Sequence, residues 1–267
     1  MNFVVAYLAE AQPVIDYYDL KKVDHASIPL FQNDQHSLVL SGLGKNSATS
    51  ATENLSRSTN NPNGGWINLG ISGHGSLAKG DLFIAGKILD DNAKETFYPP
   101  QLYASSITVS TLKSCSKPSM EYQEGMGYDM EAHAFYKTAC QFTTRELIQV
   151  VKVVSDNPSF PLDQFSPKDA PVMINQHLQR IDDLVKQIEE TSNTFQIDDK
   201  VEEMFESIGK IHSFSVTRSH QLQELVRHAK NLNLDLGVMK EIAQSSTNAG
   251  EAIKNISEFL EPYRTLG

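Results

Sequence analysis

Gly127-Tyr128-Asp129-Met130-Glu131-Ala132 and, after one helical stretch, Ile148-Gln149-Val150-Val151-Lys152-Val153-Val154-Ser155-Asp156-Asn157 decide the fold class of this chain. The second run is apolar and β-branched over most of its length, which reads as a strand. Between the two runs Ala132, Phe135, Tyr136, Ala139 and Cys140 recur at i, i+3, i+4, i+7 and i+8. That spacing puts one apolar helix face against a sheet, with the Asp-Met-Glu segment as its start. Asp156 follows the strand at its carboxyl end, where ligands collect in open α/β sheets.

Working outward, short β-branched runs alternate with helical periodicity, which predicts an α/β fold with a mixed central sheet flanked by helices. The candidate strands are residues 3–8, 37–41, 66–70, 82–88, 107–111 and 147–155. Residues 46–58 read as a helix capped by Asn46 or Ser47 and ended by the Asn/Gly-rich stretch 59–65. Residues 157–171 form a Pro/Ser/Asp-rich connection laid over the surface near the site. Beyond it Ile174, Leu178, Ile181, Val185 and Ile188 mark one long amphipathic helix. From residue 196 onward the chain reads as helical throughout, and a last helix opens at Asn248 with Glu251 three residues on. The expected organisation is therefore an α/β domain over residues 1–195 and a helical C-terminal extension over 196–267.

Charge and cysteine usage narrow the partners. With a formal net charge of −10 over 267 residues, a broad basic surface for nucleic acid or anionic membrane is not expected. No apolar run approaches the ~20 residues of a membrane helix, and the N-terminus lacks the pattern of a signal peptide. These features predict a soluble, cytoplasmic protein. Cys115 and Cys140 have no metal-ligand spacing, and His133, His177, His212, His220 and His228 form no ligand motif, so neither a metal nor a cofactor is expected.

The order of motifs resembles the nucleoside phosphorylase and nucleosidase superfamily, over about the first 190 residues. It runs from a strand ending near Glu10, through Ser41-Gly42-Leu43-Gly44-Lys45 and Asn68-Leu69-Gly70-Ile71-Ser72-Gly73-His74-Gly75, to Asp129-Met130-Glu131-Ala132 and Ser155-Asp156. The nucleosidase branch, acting on methylthioadenosine and S-adenosylhomocysteine, is the nearer pattern. The resemblance implies a nucleoside phosphorylase-like fold, a small-molecule nucleoside substrate and a homo-oligomer. It also implies roles. Asp156 would protonate the departing purine, Glu10 would activate water, and Glu131 would accept hydrogen bonds from ribose hydroxyls. Met130 would pack on the sugar, with Gly70 and Ser155 as further substrate contacts. Cleaving an N-glycosidic bond needs these functions, since the leaving base must be neutralised while an oxocarbenium-like sugar is stabilised.

Plainer readings stand beside each assignment. Ser155-Asp156-Asn157-Pro158 consists of turn formers, Asp129 suits a helix N-terminus, and Glu10 could be a surface residue of a helix start, with Gln12 the candidate in a shifted register. His74 reads as a loop histidine bonded to backbone. Tyr103, Tyr122 and Tyr128 are candidates for stacking on a base. Phosphorylases carry an Arg at the position of Asn68, which could pair bidentately with phosphate; its replacement favours water as acceptor. A phosphorylase holding phosphate through Lys45 and backbone amides is the alternative. A third reading is a non-catalytic nucleoside- or partner-binding module.

Overall fold

The computed structural model describes residues 1–103, 106–195, 199–232 and 234–263. The chain divides into two compact units, Met1–Thr194 and Phe195–Gly267. Among the described residues no helix is long and apolar enough to cross a membrane.

The first unit is built on one mixed sheet. Strand β1 (Asn2–Val5) pairs in parallel with β4 (Ser37–Leu40) and β5 (Trp66–His74). A short hairpin, β2 (Lys21–Lys22) and β3 (Leu30–Gln32), extends the β4 side; its few residues give no alternating run, so the sequence concealed it. On the other side β6 (Leu82–Asp90), β7 (Thr108–Ser114), β8 (Met126–Asp129) and β9 (Ile148–Asp156) complete the sheet. Because β9 pairs with both β6 and β5, while β5 also pairs with β8, the strands β5, β8, β7, β6 and β9 close into a ring.

Helices cover the sheet. Helix α1 (Leu8–Tyr17) packs Ala11, Val14 and Ile15 into a core with Phe3, Ile67, Leu69 and Val151. Helices α2 (Lys45–Ser58) and α3 (Ala132–Ala139) bury Ala51, Leu55, Phe135 and Tyr136 with Trp66, Phe83 and Val150. The Asp-Met-Glu segment is not the first turn of a helix. Gly127 and Tyr128 pair with His74 and Gly73, so the run through Asp129 is a strand, and α3 starts only at Ala132. Likewise neither Asn46 nor Ser47 caps α2. Gly44 does, at φ 92°, a backbone conformation open to glycine. The helix expected from Ile174 is broken into α4 (Ala170–Asn175) and α5 (Leu178–Phe195), and His177 at the break bonds the Gly80 carbonyl at 2.6 Å.

The second unit holds α6 (Asp199–Gly209), α7 (Val216–Asn231), α8 (Leu236–Ser245) and α9 (Ala249–Leu260). It has its own core, with Ile208, Leu222, Val226, Met239, Ile256 and Leu260 fully buried. Asn248 caps α9 through the amides of Gly250 and Glu251, while the Glu251 carboxylate reaches back to the Thr247 amide.

Candidate active site

The carboxyl ends of β1, β5, β8 and β9 meet at a cavity of about 580 Å³. Its walls include Glu10, Ile71, Gly73, Tyr128, Asp129, Met130, Glu131, Ser155 and Asp156, closed on one side by Leu162, Phe165, Pro167 and Ala170 from the connection after β9. Its described lining carries no Lys, Arg or His.

Glu10 is delivered by the start of α1. Its Oε2 accepts from the Tyr7 amide at 3.1 Å, an ordinary capping contact, but Oε1 accepts from the Ile71 amide of β5 at 3.2 Å, which draws the side chain inward. The residue is 5% exposed. Gln12 instead bonds Asp16 and, unlike Glu10, does not line the cavity. Burial raises the Glu10 carboxyl above its ordinary range, opposed by Lys152 and the backbone donors.

Glu131 stands between β8 and α3. Its Oε1 accepts from the Gly44 amide at 2.6 Å, so the positive φ of Gly44 turns that N–H toward the site. Burial first, and the neighbouring Asp129 second, push its carboxyl up to about 7 against the pull of Lys152. Met130 lines the same wall. Asp129 also faces the cavity, yet its oxygens are committed: Oδ1 accepts from Ser114 Oγ at 2.6 Å, while Oδ2 accepts from the Ala132 amide and pairs with Lys152. As the last residue of β8, it thus joins β7, α3 and β9 around the cavity.

Asp156 owes its direction to an irregularity. Along β5 and β9 the register runs Ser72 opposite Val154 and then Gly73 opposite Asp156, so Ser155 is the extra residue of a bulge. In a regular strand adjacent side chains point to opposite faces. The bulge lets both Ser155 and Asp156 face the cavity. Ser155 Oγ donates to Asp156 Oδ1, and Tyr122 donates to Oδ2 at 2.8 Å. Gly73 makes room, since a Cβ there would lie 2.7 Å from Asp156 Oδ2.

The site residue that the sequence reading passed over is Lys152. It lies within the apolar run of β9 at 2% exposure, with Nζ 3.0 Å from Asp129 Oδ2. A lysine inside an otherwise apolar central strand is itself a signal, because burial of an ammonium demands a partner. Gly70 does not line the cavity. It lies beneath Glu10 and Lys152, where a Cβ would come within 3.4 Å of Glu10 Oε1 and 3.5 Å of Lys152 Nζ. Close packing surrounds it there.

Other candidates resolve in the same way. His74 is buried, accepting from the Ser76 and Leu77 amides on Nδ1 and bonded to Ser110 through Nε2. Asn68 is buried, and its amide donates to the Val4 carbonyl. Lys45 is held by Asp90 and Asp91, so it is not free to bind phosphate. Tyr128 lines the cavity; Tyr103 does not, and it bonds the Glu146 carbonyl. Among the described residues no cluster of His, Cys, Asp or Glu is arranged to hold a metal ion.

No family model and no curated protein matches the chain by sequence. Solved structures do match by fold. An MTA/SAH nucleosidase aligns with a TM-score of 0.57 at 16% identity, over 69% of this chain and 95% of its own. The apo 5′-methylthioadenosine nucleosidase of Arabidopsis thaliana gives 0.55 at 14%, over 69% and 94%. A nucleosidase from Chlamydia trachomatis gives 0.53 at 16%, over 70% and 97%. The chain therefore has the α/β fold of these nucleosidases, with further helices at its C-terminus.

Proposed function

We propose that the protein is a nucleosidase, hydrolysing the N-glycosidic bond of a purine nucleoside or a 5′-modified relative. The observation that carries this reading is the convergence of Glu10, Glu131 and Asp156 on one cavity whose described lining carries no cationic side chain. In this reading water lies at Glu10, which takes its proton as the oxygen bonds to C1′. The C1′–N9 bond breaks, its electron pair passes to the base, and Asp156 transfers its proton to purine N7. Glu131 accepts from the ribose hydroxyls, and Met130 packs on the ring. The names of the fold neighbours, nucleosidases of 5′-methylthioadenosine and S-adenosylhomocysteine, support the substrate class.

Water fits this site better than phosphate. A phosphate dianion would meet Glu10, Asp129, Glu131 and Asp156 without a free cation, since Lys152 is engaged by Asp129 and Lys45 by Asp90 and Asp91. Tyr7, Leu8 and Leu43 line the cavity yet are nearly half exposed. This apolar rim supports a second copy of the chain as its cover, hence a homo-oligomer.

The test is incubation of the pure protein with a nucleoside panel, with and without inorganic phosphate. Free base and free sugar in both arms are expected, and Asp156→Asn should lower turnover about 10²–10⁴-fold, the usual contribution of a proton donor. Sugar 1-phosphate formed only with phosphate would overturn the hydrolytic reading, and absence of cleavage would favour a binding module.

A further inference from the structure

Tyr122 is not part of the cavity wall, yet it touches the acid. Its hydroxyl donates to Asp156 Oδ2 at 2.8 Å, and the Leu162 amide donates to the phenol oxygen at 3.0 Å. The ring lies against Gly73, with Cε1 3.5 Å from where a Cβ would stand. The other carboxyl oxygen of Asp156 accepts from Ser155 Oγ. Each carboxylate oxygen has about two lone-pair sites, so one donor on each leaves one site on each.

Resting on the reading above, in which Asp156 gives its proton to the leaving base, we propose that Tyr122 is a positioning residue that fixes the Asp156 carboxyl and stabilises the carboxylate as the proton departs. With Ser155 and Tyr122 on the two oxygens, the acidic proton is left to the cavity side. When the carboxyl O–H breaks and the N7–H bond forms, the electron pair stays on Asp156, and the phenol hydrogen bond becomes charge-assisted. Such bonds are roughly twice as strong as neutral ones, so the contact favours the transition state over the bound nucleoside. The phenol serves as a donor throughout: burial first, then the bond to Asp156, push it up to about 12. Through Leu162 the same hydroxyl ties the acid to the cavity wall that follows β9.

The groups about Asp156 are Ser155 on its own strand, Tyr122 from the segment between β7 and β8, and Tyr128, Asp129 and Glu131 on the cavity walls. Asp163 acts on the phenol from beyond. No cation of the described lining competes with the two hydroxyls for Asp156.

The experiment compares full-length wild type, Tyr122→Phe and Tyr122→Leu by the carbon-13 resonance of the Asp156 carboxyl at one fixed pH, assigned with Asp156→Asn, alongside steady-state nucleoside hydrolysis. Losing the hydroxyl removes a donor to Oδ2, so the resonance should move in Tyr122→Phe as well as in Tyr122→Leu. Because the lost contact strengthens only as the proton departs, kcat should fall about tenfold with KM changed less than about twofold. An unmoved resonance in Tyr122→Phe, with only Tyr122→Leu impaired, would make the ring a packing element and overturn the proposal. Because the resonance needs no turnover, an inert wild type with a shifted resonance in Tyr122→Phe would remove the hydrolase reading and leave the Tyr122–Asp156 link standing. An active enzyme with an unmoved resonance would remove that link alone.

Discussion

Lys152 Nζ lies 3.0 Å from Asp129 Oδ2, with both side chains almost wholly withdrawn from solvent. The pair joins the middle of β9 to the end of β8 beneath the cavity. It also places one positive charge where it acts on Glu10 and Glu131, lowering both against the cost of burial. Removing one partner of a buried pair typically costs about 3–5 kcal/mol, whereas replacing both by apolar groups is often close to neutral. Lys152→Met is therefore expected to lose about 3–5 kcal/mol in urea unfolding. The double variant with Asp129→Leu should recover part of it, limited by the Ser114 and Ala132 donors left behind. A double variant no more stable than Lys152→Met would contradict this account.

Glu131→Gln is expected to weaken ribonucleosides more than 2′-deoxyribonucleosides. A hydrogen bond to a charged group contributes about 1.5–3 kcal/mol, so kcat/KM should fall about 10–100-fold more for the ribose series. Equal losses for both sugars would leave Glu131 as a residue that merely orients Gly44.

The same substitution has a pH signature in stability. The folded carboxyl of Glu131 is raised above its ordinary value of 4.5, to about 7. A raised carboxyl contributes stability that is complete below the unfolded value and lost as pH rises through the folded one. Glu131→Gln, which stays neutral, should match wild type at about pH 4 and exceed it at about pH 8 by roughly 1–3 kcal/mol, the scale of an uncompensated buried polar group. Thermal melts across that range decide it; a stability gain confined to acid pH would reverse the sign.

Gly73→Ala places a methyl 2.7 Å from Asp156 Oδ2 and 3.5 Å from Tyr122 Cε1. The acid must shift. A displacement of about 1 Å in a catalytic group can cost about 10²-fold in rate, so turnover should fall by that order while circular dichroism is unchanged. Full activity would show that Asp156 tolerates a second position.

The helical unit should fold alone. Its core residues, from Val201 to Leu260, lie within Phe195–Gly267, and the two clusters of the α/β unit end at Ile188. A fragment beginning at Phe195 is expected to melt cooperatively with an enthalpy of roughly 0.7 kcal/mol per residue. A broad, non-cooperative melt would count against an independent unit. The complementary fragment, Met1–Thr194, contains every proposed catalytic group; loss of substrate binding in that fragment would instead make the helical unit part of the site.

Much of this was legible from residue order. The β-branched run of β9, the Ala132–Cys140 stripe and the glycines after β4 specify strands and helices through period and turn chemistry, and these act locally. The motifs singled out Asp156 and Glu131, and the strand-to-helix junction singled out Glu10, all three of which line the one cavity. What the order of residues could not display was pairing at a distance. Gly127 and Tyr128 read as a helix approach until β5 supplies their hydrogen-bond partners. Lys152 stands in an apolar strand with nothing nearby in sequence to mark its role, because its partner lies on another strand. Tyr122 was a stacking candidate by residue type and Gly70 a substrate contact by resemblance, whereas their places depend on Asp156, Glu10 and Lys152 arriving from elsewhere.

The ring of β5, β8, β7, β6 and β9 also determines how the molecule can meet its neighbours. A strand margin with unpaired amides and carbonyls is a template on which a foreign chain can add itself, and closure removes that template from one whole side of the sheet. Among the described residues the sheet still ends in a margin on the far side, and there β2 is just Lys21 and Lys22, both exposed. Two charged residues offer too short and too hydrated a template for amyloid-like growth. Association on the ring side is therefore confined to side-chain packing, a kind of contact that substitutions can tune without touching the backbone framework beneath the acids.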